Sequence, residues 1–120
     1  MKVNECSTTR KITGQIEPVL DSVVIVLTAY MTFLPDKIDA GLEACRTVRA
    51  ASVLEPGCEV YDFYQSLDDP AKIVFVEEWT TRADLDTHFE QDAFKVFAQE
   101  VADYVANETD LRIFDSTLMA

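Results

Sequence analysis

The segment that most limits what this chain can fold into is residues 59–79, EVYDFYQSLDDPAKIVFVEEW. Two runs rich in Val, Ile, Phe and Tyr flank a polar loop holding Pro70, the pattern of a β-hairpin. A hairpin with one wet face should alternate apolar and polar residues. This one does not. Ile73, Phe75 and Trp79 fall on one face, while Val74 and Val76 fall on the other. Residues 22–33, SVVIVLTAYMTF, repeat the pattern. Val23, Ile25, Leu27, Ala29, Met31 and Phe33 share one side of that strand; Val24, Val26, Thr28, Tyr30 and Thr32 share the other. Such a sheet needs cover on both faces.

Two helical stripes supply cover for one face. Pro35 and Asp36 open the first helix, proline suiting a first turn and aspartate a cap. Ile38, Leu42, Cys45, Val48 and Ser52 then step by three or four, with Arg46 and Arg49 on the flank. The helix stops before Pro56, which disfavours a helical residue ahead of it, and Gly57 supplies a turn. Thr81 and Asp84 resemble a capping box opening a second helix over 81–107. Leu85, Phe89, Ala93, Phe97, Val101 and Val105 form its stripe, widened by Phe94 and Tyr104, and a kink is expected near Gln91–Asp92. TDLRIFDSTLM reads as a last strand.

The order is β-α-β-β-α-β. Right-handed crossovers make it an α+β, ferredoxin-like βαββαβ fold: a four-stranded antiparallel sheet with both helices on one face. The other face stays apolar, and an uncovered apolar face is an interaction surface. A second copy is the economical cover, which predicts a homodimer joined through the sheet face. Residues 22–120 form the domain. Residues 1–21 read as an N-terminal extension without the apolar middle of a signal peptide, with room for a short strand around Ile16 to Leu20.

Charge and cysteine use narrow the function. A formal net charge of −12 repels phosphate backbones and anionic lipid surfaces, so neither nucleic acid nor membrane is an expected partner. No apolar run approaches the ~20 residues of a membrane span. Cys6, Cys45 and Cys58 are widely spaced and His88 is the sole histidine, so neither a disulfide framework nor a structural metal site is expected. Free thiols point to the cytoplasm. Three scattered glycines cannot write a dinucleotide fingerprint or a P-loop, so no classical nucleotide cofactor is expected.

Few side chains remain to carry chemistry. His88 is the only group whose ordinary pKa, about 6.5, suits proton abstraction near neutrality. It falls one turn past Leu85, at the edge of the apolar stripe, where a half-exposed structural histidine is the plainer reading. Trp79 ends its strand beside the second helix, able to wall an aromatic pocket or simply to seal the core. Glu77 shares the face of Phe75 and Trp79, where a carboxylate must be paired, wet or neutralised; it could serve as a base or substrate anchor, and an inter-subunit salt bridge is the plainer reading. Tyr30, Tyr61 and Tyr64 could donate to a substrate oxygen or pack with their hydroxyls in water. Cys45 and Cys58 read as small buried apolar residues, and Arg46 and Arg49 as surface ion-pair partners.

From Gly57 onward, these motifs resemble the antibiotic biosynthesis monooxygenase (ABM) family of dimeric α/β barrels. The match runs through EPGC before the second strand, then Glu77 two residues before Trp79, Leu85-x-x-His88, and Phe94-Lys95 after a short acidic break. The last strand in ETDLRIF also matches. The resemblance implies a cofactor-free monooxygenase, quinol-monooxygenase-like, that oxidises a quinol or polycyclic phenol with dioxygen. It makes His88 the candidate base, with Trp79, Phe75, Tyr64 and Glu77 as substrate-binding residues. Polyketide-oxidising relatives share the Trp79 position but carry Asn at Phe75 and Tyr at Leu85. Haem-degrading relatives carry a ligand His at Ala98 and an Asn in strand 1, which this chain lacks. The alternatives are a metabolite binder or isomerase on the same fold, or a purely structural dimer.

Overall fold

Strict alternation in burial decides which face of each strand meets the core. The computed structural model describes residues 23–120, so the expected extension 1–21 and its short strand lie outside the described residues. Strand β1 (Val23–Thr32) buries Ile25, Leu27, Ala29 and Met31 and leaves Val24, Val26, Thr28, Tyr30 and Thr32 on the opposite face. Pro35 opens a 3-10 turn, Pro35–Lys37, rather than the α-helix itself, and that turn leads into α1 (Ile38–Ser52). Asp36 makes no capping hydrogen bond, because the chain tightens there before the α-helix begins. Strands β2 (Cys58–Gln65) and β3 (Lys72–Trp79) form the expected hairpin.

The expected kink is a full break. Helix α2 (Arg82–Phe89) stops, Gln91 turns extended at φ −75° and ψ 146°, and α3 (Asp92–Val101) begins. Thr81 caps α2 as predicted, its side-chain oxygen accepting from the Asp84 backbone N–H at 3.1 Å. Strand β4 (Asp110–Thr117) completes a sheet ordered β2-β3-β1-β4, with every pairing antiparallel. The architecture is therefore α+β and ferredoxin-like, with the helices on one side of the sheet.

The core lies between that side and the helices. Val48, Cys45 and Ala44 from α1, Leu85 from α2, and Phe97 and Val101 from α3 pack on Leu27, Phe75 and Trp79. Each fully buried large side chain contributes about 1.5–3 kcal/mol of transfer free energy. Gly57, at φ +81°, adopts a left-handed turn, and a Cβ there would collide with the Asp84 side chain. The missing side chain lets the start of the hairpin lie close against the Asp84 side chain in the first turn of α2.

Candidate functional site

The sheet and α3 do not close completely. Between them lies a cavity of about 260 Å³. Leu27, Ala29, Met31, Tyr61, Phe75 and Glu77 form its floor, all buried. Phe89, Phe94 and Phe97 roof the inner end, while Ala98, Ala102 and Leu111 stand at the exposed margin near the β4 edge. The break between α2 and α3 builds this roof, since it lets Phe89 and Phe94 meet at 5.1 Å between ring centroids. The volume sits just below the ~300–1,000 Å³ usual for drug-sized ligands, which suits a compound of one or two rings.

Glu77 is the only charged residue in that lining. It is 4% exposed, placed by the even alternation of β3 between Phe75 and Trp79. Its Oε1 accepts from the Trp79 indole Nε1–H at 3.0 Å. Burial raises its pKa from the ordinary carboxylate range to about 7; the Trp79 and Tyr61 donors pull it back, and the nearby Glu55 charge adds to the rise. Near neutral pH the carboxyl is therefore poised between its two states. Burial also drives the Tyr61 hydroxyl pKa upward, so Tyr61 remains a neutral donor.

His88 sits one layer behind. It is 1% exposed, not at an exposed edge, because the short α2 turns it inward with Leu85. Trp79, Phe94, Tyr61 and Phe89 surround its ring at centroid distances of 4.8, 5.1, 5.4 and 5.7 Å. Its Nδ1 lies 2.9 Å from Glu55 Oε1, and its buried Nε2 has no partner. A carboxylate at Nδ1 selects the Nδ1–H tautomer and leaves Nε2 a bare acceptor. Burial lowers the His88 pKa, and the hydrogen bond and charge of Glu55 oppose that shift.

Of the five residues expected at the site, the structure brings four together and separates one. Phe75 and Glu77 line the cavity; Trp79 and His88 pack directly behind its wall. Tyr64 is the exception. It pairs with Val74 on the opposite face and is 55% exposed, because β2 alternates so that Tyr61 and Phe63 take the helix side. Tyr61, not Tyr64, is the β2 tyrosine that lines the cavity. The residue not anticipated is Glu55: its EPGC motif enters the sequence reading as a turn and as part of the family resemblance, and no local spacing ties it to His88, 33 residues later.

Cys45, Cys58, Arg46 and Arg49 sit as packed or ion-paired side chains. Cys45 is buried, Cys58 is half-buried, and burial pushes both thiols up to about 12, so neither is a thiolate nucleophile near neutral pH. Arg46 pairs with Glu43 at 3.1 Å and Arg49 with Asp62 at 2.8 Å. Among the described residues no His, Cys, Asp and Glu cluster could hold a metal ion, and no helix is long and apolar enough to cross a membrane.

The family model for antibiotic biosynthesis monooxygenases (ABM) matches residues 24–100. The chain belongs to the ABM family. It is similar to a candidate antibiotic biosynthesis monooxygenase of Nitrosomonas europaea, with 32% identity and a TM-score of 0.75 over 78% of this chain and 89% of that one. A conserved protein of Methanosarcina mazei superposes with the same TM-score at 27% identity, covering 78% of this chain and 92% of that one. An uncharacterized protein of Synechocystis is 31% identical over 90 residues, which are 75% of this chain. The match spans only 61% of that curated relative's length. The region that the family model matches contains the His88–Glu55 pair and the cavity floor, while Val101, Ala102, Val105, Thr109 and Leu111 of the lining lie beyond it.

Proposed function

We propose that the chain is a cofactor-independent monooxygenase of a small hydroquinone or phenol. The observation that carries this reading is an aromatic-walled, largely apolar cavity whose single charged lining group is the buried carboxyl of Glu77. A substrate of this class supplies its own electrons. Loss of a phenolic proton gives an electron-rich anion that reduces dioxygen. For a hydroquinone, one oxygen atom enters the ring as a hydroxyquinone and the other leaves as water, with all four electrons drawn from the substrate. The protein's part is to desolvate, orient and deprotonate. Phe75, Phe94 and Phe97 exclude water, and the buried pair His88 and Glu77 offers two proton acceptors.

In this reading the molecule is a homodimer joined through the free sheet face, a cytoplasmic protein with no prosthetic group. Oxygen uptake with a panel of hydroquinones, run with isotopically labelled dioxygen, is the test. One labelled atom in the product is expected. Absence of uptake across one- and two-ring members would move the function to binding or isomerisation in the same cavity.

A further inference from the structure

Of the two buried acceptors, the geometry points to Glu77: we infer that it anchors the substrate hydroxyl and accepts its proton, and that the cavity therefore selects neutral, hydroxylated aromatic rings over anionic or fully etherified ones. This rests on the oxygenase reading for the fate of the anion but not for the binding step. His88 does not line the cavity; Tyr61, Phe89 and Phe94 stand both against its ring and in the wall. Glu77 does line it, and a carboxylate has about four acceptor sites, of which the Trp79 indole takes one at Oε1. A ligand hydroxyl can take another. No lysine, arginine or histidine lines the cavity, so nothing there would neutralise an anionic ligand.

The proton step is simple. The phenolic O–H bond breaks, an O–H bond forms on Glu77, and the electron pair stays on the ring as phenolate. The titratable neighbours of Glu77 are Tyr61 and Cys58 on β2 and Glu55 before it; α3 contributes only apolar side chains to the cavity. Each of those neighbours is neutral or negative, so they retain the proton on Glu77 once it has arrived. The Glu55–His88 pair acts by position. It backs the Trp79 ring at 4.8 Å, and Trp79 holds the Glu77 oxygen.

Trp79 is the chain's only tryptophan, so its emission reports directly on this carboxyl. The experiment uses the whole protein and naphthohydroquinone, its dimethyl ether and its carboxylated derivative, first without oxygen. Wild type should bind naphthohydroquinone at least tenfold more tightly than either analogue, read from Trp79 emission. Glu77→Gln, nearly isosteric, should abolish that preference and remove the ligand-free emission transition centred near pH 7. With oxygen admitted, Glu77→Gln should lower kcat/KM by roughly 10²–10⁴-fold, the range for a general base. Equal preference in wild type and variant, full turnover by Glu77→Gln, or no binding of naphthohydroquinone to wild type would each overturn the inference. Selective binding without oxygen uptake would support the anchor and defeat only the oxygenase reading.

Discussion

At the scale of single residues, two buried ionisable groups pull stability in opposite directions with pH. The folded-state pKa of Glu77 is raised to about 7 from 4.5. The folded protein therefore binds the proton more tightly than the unfolded chain, and stability is lost as pH rises through that window. His88 is lowered from 6.5, so its contribution is present above that value and lost as pH falls below it. Glu77→Gln removes the first effect alone. The expected outcome is a variant stabilised by about 2–3 kcal/mol relative to wild type at pH 8, with little difference at pH 4, measured by urea denaturation. His88→Ala has another consequence. The histidine is packed among four aromatic rings, so truncation should cost about 2–4 kcal/mol through the cavity it leaves, independent of any effect on turnover.

At the scale of elements, the sequence stated period and order plainly. Alternation in β1 and β3 and the stripe of α1 appear as read, because burial of one face imposes a two- or 3.6-residue period that nothing local contradicts. The α2–α3 break is expected from the sequence only as a kink near Gln91–Asp92, yet it positions Phe89 and Phe94 over the cavity. Tyr64 falls on the other face because β2 alternates regularly from Val60 onward, placing Tyr61 opposite Glu77 and Tyr64 opposite Val74. The Glu55–His88 contact was not legible, since it joins a loop to a helix and follows from tertiary packing alone. Two changes test how the hairpin start and α2 are held. Thr81→Ala should cost about 1 kcal/mol by removing the cap. Gly57→Ala should cost more, since it places a Cβ in a left-handed backbone already in contact with Asp84. Chemical denaturation midpoints would show whether that order holds.

At the scale of the whole molecule, the sheet face without helices carries its own argument. Val24, Val26, Val60, Val74 and Val76 are half-buried there, and Tyr30, Tyr64 and Phe114 are 47%, 55% and 47% exposed. A face with apolar side chains on every strand, with Asp62, Glu78 and Arg112 among them, is a poor surface to leave in water. A second copy placing the same face against it would bury those side chains isologously. The structure also separates two substitutions that the sequence could not distinguish. Phe75 is 2% exposed beneath the helices, so Phe75→Asp buries an unpaired charge in the core and should prevent folding. Val74, next along β3, points to the open face between Tyr30 and Tyr64. Val74→Asp should leave the monomer folded while weakening association by about 2–4 kcal/mol, roughly 30- to 1,000-fold in the dissociation constant. Sedimentation with circular dichroism on the same samples reads both quantities. A wild type that sediments as a 13.5 kDa monomer at micromolar concentration would refute the dimer, and a Val74→Asp protein that loses its secondary structure would show that this face belongs to the core.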